Sequence, residues 1–160
     1  MSDGNPGLTY MKSLNDCFYD QIKVADQKAT LMISLIVLMI VWSPDVRQIY
    51  LQPFGLAAKG WLPAAVVTFA LVVALVSALC VVTPRRRKSR SPLFWGGWPE
   101  AAEAALALAL EGDREKLLRS YADNAANLAA ICRRKYMFVS IAVWALIAAL
   151  VAHGVFVTIR

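Results

Sequence analysis

The residues of this chain able to do chemistry are few, and they gather at the edges of apolar runs. Asp26, Gln27 and Lys28 are the last polar residues before an uncharged stretch that begins at Ala29. Arg133, Arg134 and Lys135 stand just before another, which begins at Met137, and Tyr121, Asn124 and Asn127 lie upstream of them. None of these forms a catalytic set. No paired carboxylates meet at an apolar run and His153 is the only histidine, so a metal centre or a histidine-assisted nucleophile has no material to be built from. Cys17, Cys80 and Cys132 have neither pairing nor ligand spacing and read as isolated buried thiols. The chemistry left is recognition or anchoring. Asp26 and Lys28 fit an exposed ion pair or interfacial anchors. Arg134 and Lys135 fit topology determinants that touch lipid headgroups. Asn124 fits a polar residue that sets helix register, or a ligand contact with Tyr121 and Asn127 beside it.

The elements that must position these residues are membrane elements. Of the 160 residues, 59 % are hydrophobic, against about 45–50 % in an ordinary soluble domain. The excess lies in three long runs, which leaves room for three spans and a small soluble part. The formal charge of +6 is local, in Arg85, Arg86, Arg87, Lys88 and Arg90 and in Arg133 to Lys135. Both clusters flank apolar runs, and no nucleic-acid-binding motif accompanies them, so nucleic acid is not an expected partner.

Residues 1–8 contain Gly, Asn and Pro and are expected to be disordered. About 28 mostly polar residues precede the first apolar run, which excludes a signal peptide. A cytosolic helix is expected over 9–28, capped by Thr9, with an apolar stripe of Met11, Leu14, Phe18, Ile22 and Ala25. The first span is placed at 29–43. Its uncharged run covers roughly 21 Å against about 30 Å of hydrocarbon, so Lys28 must snorkel or the helix must begin in the interface. Residues 44–60 read as an external interfacial loop with aromatic anchors and a short helix lying on the membrane. The second span is 61–83, with small-residue faces suited to close helix contact. Residues 84–136 begin as a basic linker and an aromatic turn at 92–99. A helix from Pro99 to Glu111 then ends at Gly112, and Asp113 caps a last helix. Along it Leu117, Tyr121, Asn124, Leu128, Ile131 and Lys135 follow heptad spacing. Nothing breaks that helix before the third span, 137–159.

By the positive-inside rule 84–136 is cytoplasmic, as is the N-terminus, and the C-terminus is outside. The expected fold is an all-α membrane protein. It has three transmembrane helices and a small helical cytosolic domain, formed by the N-terminal helix and the segment between spans 2 and 3. Two helices that cross the membrane surface unbroken could carry a cytosolic movement into the bilayer.

Ala25-Asp26-Gln27-Lys28-Ala29-Thr30, entering the first span, is similar to the Ala-Asp-Asn-Lys-Ala-Ser/Thr signature of the Pycsar transmembrane effectors. Leu93-Phe94-Trp95-Gly96 resembles their Leu-Phe-Phe-Gly turn, and Arg134-Lys135-Tyr136 resembles their Arg-Lys-Tyr junction. Order and placement match over roughly residues 10–150. Gln27 stands where the signature has Asn, one methylene longer, and Trp95 is the larger aromatic. The resemblance implies a non-enzymatic effector of bacterial antiphage defence in the inner membrane, N-terminus cytoplasmic and C-terminus periplasmic. Such an effector senses cyclic UMP (cUMP) or cyclic CMP (cCMP) and impairs the membrane, giving abortive infection. The residues are chemically compatible with that role. Lys28, Arg134 and Lys135 would meet the phosphate, Asp26 would accept from a hydroxyl, and Gln27 lies between Asp26 and Lys28. Asn124, with Tyr121, would read a base edge or the sugar. The expected partners are the cyclic mononucleotide, the lipid bilayer and further copies of the chain, with no cofactor. The competing reading is a non-enzymatic membrane scaffold or subunit whose cytosolic helices dock a partner protein along the seam from Leu117 to Ile131.

Overall fold

The computed structural model describes residues 6–51, 61–83, 102–103, 106–107 and 110–159. These residues form helix α1 (Pro6–Trp42), α2 (Pro44–Leu51), α3 (Trp61–Val82) and α4 (Arg114–Ile159), with no strand among them. Residues 102–103, 106–107 and 110–111 are also helical. The Arg85–Arg90 cluster and the aromatic turn at 92–99 lie outside the described residues. Helices α1, α3 and α4 are each long and apolar enough to cross a bilayer, so the chain is an all-α, multi-pass membrane protein.

The first helix begins at Pro6, not at the expected Thr9 cap. Proline is suited to a first helical turn, where its fixed φ fits and its missing N–H has no partner to lose. Pro6, Gly7 and Leu8, expected in a disordered terminus, are therefore helical. With 37 and 46 residues, α1 and α4 extend about 56 and 69 Å. Hydrocarbon is about 30 Å thick, so both helices must continue well outside it. Ser43 separates α1 from α2, and its Oγ accepts a long 3.4 Å bond from the Val46 N–H. Pro44 and Asp45 occupy the first turn of α2, as proline geometry and the helix dipole favour.

Gly112 has φ +64°, the left-handed geometry of a residue just past a helix end. Asp113 then caps α4, its Oδ1 accepting from the Glu115 N–H at 3.0 Å and the Lys116 N–H at 3.2 Å. The Lys116 N–H is the main reason the Asp113 carboxyl titrates below its ordinary value.

Two compact units divide the chain: 1–24 with 84–134, and 25–83 with 135–160. Helices α1 and α4 belong to both and pass between them unbroken. The second unit holds all three uncharged runs and is a bundle of α1, α3 and α4. In one cluster Ala25, Ala29 and Met32 of α1 meet Ala78 and Val81 of α3 and Val139 and Ala142 of α4. In the other, Ile36 meets Ala64, Val67, Leu71 and Ala74 of α3 and Ala149 and Phe156 of α4, with Val46 of α2 joining. Within this unit the earlier residues of α1 meet the end of α3 and the earlier residues of α4, and later Ile36 meets the start of α3 and later α4, so α1 and α4 are parallel and α3 antiparallel to both. Alanines at fully buried contacts let the backbones approach, which is the usual basis of helix association in lipid.

Leu31, Leu38, Phe69, Trp144 and Val151 point outward and are more than half exposed. Such a surface would be an aggregation hazard in water and is ordinary in hydrocarbon. Hydroxyls on these helices bond to their own backbone: Thr30 to the Asp26 carbonyl, Ser34 to Thr30 and Thr68 to Ala64, at 3.0–3.1 Å. This leaves them without an unmet donor in lipid.

Candidate functional site

The residues expected at the site fall in both units, and each unit brings a different subset together. In the second unit the Asp26 carboxylate accepts from the Lys135 ammonium. Lys135 is the more enclosed partner, its side chain 18 % exposed against 40 % for Asp26. The elements explain the meeting. Ala25 and Ala29 are fully buried in the α1 seam, which aims Asp26 to the edge of that seam. Lys135 continues the heptad spacing of α4. Of the two simpler roles for Asp26 and Lys28, an ion pair between them does not form, because side chains two apart on a helix do not face each other. Lys28 instead holds its ammonium 5.5 Å from the centroid of the Tyr136 ring, a cation–π contact at an exposed position. Gln27 is exposed.

In the first unit the central contact is a pair of amides. Asn124 Nδ2 donates to Asn15 Oδ1 at 2.7 Å, and Asn15 Nδ2 donates to the Met11 carbonyl at 2.8 Å and the Tyr121 carbonyl at 3.2 Å. Both amides are buried, 4 % and 3 % exposed. Tyr121 thus enters the network through its backbone, and its side chain is half-buried. Arg134 is exposed. Asn15 was not among the expected residues. The signal for it lay in the spacing Met11, Asn15, Phe18, Ile22, Ala25, which continues at heptad steps to Ala29, Met32 and Ile36. Leu14, expected on the stripe, is half-buried, as are Met11, Phe18 and Ile22.

All three cysteines are free thiols. Cys17 is exposed and Cys80 and Cys132 are half-buried, which corrects the expectation of buried thiols. Burial, and then the nearby Cys17, push the Cys132 thiol upward, away from the reactive thiolate. Among the described residues no group of His, Cys, Asp or Glu could hold a metal ion.

A bundle of apolar helices, two of which continue into another helical unit with a buried amide pair, defines a multi-pass membrane protein. The Pycsar effector protein domain matches residues 10–160, and the chain belongs to that family. It is a membrane effector of the Pycsar antiphage system. No curated protein and no solved structure matches it.

Proposed function

We propose that this effector senses a cyclic pyrimidine mononucleotide, cUMP or cCMP, and in response impairs the bacterial inner membrane, so that an infected cell stops growing before phage mature. The observation that carries this reading is the continuity of α1 and α4, each unbroken from the polar unit into the membrane bundle. A ligand bound by the polar residues of these helices then has two continuous elements through which to act. It shifts the bundle only if it binds one arrangement of those helices more tightly than the other.

Positive residues around the junctions support an N-terminus in the cytoplasm and a C-terminus in the periplasm. Within the second unit Lys28 and Lys135 are cationic donors available to a phosphate, with Asp26 and Gln27 as polar groups on α1, and Arg134 is a further exposed cation that belongs to the first unit. In this state Lys135 is held by Asp26, so a phosphate would compete with that carboxylate for the ammonium. Impairing a bilayer requires several copies of so small a bundle. An apolar groove of about 400 Å³ between α3 and α4, lined by Ala65, Phe69, Ala145 and Ala148 among others, offers a surface for self-association.

Calorimetric titration of the detergent-purified protein with cUMP, cCMP and cyclic AMP tests the reading. A pyrimidine nucleotide should bind in the micromolar range, well ahead of cyclic AMP. If neither pyrimidine binds below about 1 mM (roughly 4 kcal/mol of binding free energy), sensing is lost as an explanation. Co-purification of a stoichiometric protein partner would then move the chain to the scaffold reading.

A further inference from the structure

The amide pair of the first unit has a direction. Asn15 Nδ2 spends its hydrogens on the Met11 and Tyr121 carbonyls, and Asn15 Oδ1 accepts from Asn124 Nδ2. Turning Asn15 over would set its oxygen against two carbonyl oxygens. Turning Asn124 over would set it against the oxygen of Asn15. Amide orientations are assigned from such networks, and here the network admits one. It leaves Asn124 Oδ1 buried with no hydrogen-bond donor. Buried polar atoms are nearly always satisfied, so an open acceptor in a helix seam calls for a partner.

The surroundings favour a ligand over a purely register-setting role. A register-setting amide sits alone in an apolar seam. The neighbours of Asn124 one turn away on α4 are Ser120, Tyr121 and Asn127, all polar, with Leu128 the apolar exception. Ser120 is itself buried.

We propose that Asn124 Oδ1 is a ligand acceptor, which takes a hydrogen bond from an N–H of the base or the O–H of the ribose of the sensed nucleotide, with Asn15 as the residue that positions it. The proposal rests on the nucleotide-sensing reading above. Uracil carries such a donor at N3, cytosine at its 4-amino group, and the ribose at its 2′-hydroxyl. The oxygen is covered in this structure, so a donor reaches it only when the groups over it part. Binding therefore favours a rearranged first unit in which the acceptor is satisfied, which is the differential affinity a ligand-driven change requires.

The test uses the full-length protein in detergent. The pyrimidine nucleotide that binds is compared with its donor-blocked form, N3-methyl-cUMP or N4,N4-dimethyl-cCMP, and with its 2′-deoxy form. Blocking the donor that Asn124 reads should weaken binding about 10- to 100-fold, the cost of an orphaned buried acceptor. The double variant Asn15→Leu/Asn124→Leu replaces both amides with apolar groups of similar size, a change that leaves no orphan and is tolerated by a fold. It should bind the parent and blocked nucleotides equally. Native protein that binds both modified forms as tightly as the parent overturns the proposal, and that arm needs no variant. So does a folded double variant that still discriminates. Failure of the unmodified nucleotides to bind at all is a separate result, and it removes the sensing reading itself.

Discussion

Asp26 and Lys135 show how an ordinary ion pair acquires consequence from its position. Both stand at the edge of an apolar run, on α1 and α4 respectively, and each neutralises the other next to an apolar bundle. Exposed pairs contribute about 0.2–1 kcal/mol, and Lys135 is enclosed enough to put this one near the upper end. A double-mutant cycle with Asp26→Asn and Lys135→Met, read by thermal unfolding in detergent, should give a coupling of about 1 kcal/mol. Strict additivity would mean that the pair does not hold the helices. Asp113 makes a different prediction. Its folded-state pKa lies below the ordinary carboxylate value, so its contribution to the start of α4 is present above about pH 4 and is lost as pH falls through the lower, folded value. Amide protection at Glu115 and Lys116, measured relative to the intrinsic exchange rate at each pH, should fall over that acid range in the native protein. Asp113→Asn, which keeps a capping oxygen and cannot titrate, should show no such step. An equal acid step in both proteins would place the titration elsewhere.

At the scale of elements, the argument rests on small residues where α1, α3 and α4 meet. Ala142 is fully buried in the cluster that holds Ala25, Ala29 and Ala78. Ala142→Leu should overpack that contact and cost about 1–3 kcal/mol of stability in detergent. Val151→Leu, on a face 64 % exposed, should be close to neutral. Equal effects of the two would show that α4 does not pack through the Ala142 face. The helices themselves could be read from the chain, because uncharged runs, Pro44, the Gly112-Asp113 cap and heptad spacing are local signals. Partners could not. Asn15 looks like one polar residue among several at the start of α1, and only α4 beside it reveals that it is buried. Asp26 has a cation two residues away in sequence, yet pairs with one more than a hundred residues on. Helix geometry forbids the first and tertiary packing supplies the second.

For the molecule as a whole, α1 and α4 are parallel in the membrane bundle and each continues unbroken into the polar unit. On the proposed reading that continuity joins a sensing part to a membrane element in one short chain, and it follows from two helices too long for a bilayer. The candidate ligand residues, by contrast, were legible only as types: cations for a phosphate, amides for a base or sugar. Dye release from liposomes carrying the purified protein joins the two halves in one measurement. Adding cUMP or cCMP should release the trapped dye in proportion to nucleotide bound, and cyclic AMP at the same concentration should not. Liposomes that stay sealed at nucleotide concentrations that saturate the protein, or that leak equally without nucleotide, would contradict a ligand-gated membrane effector.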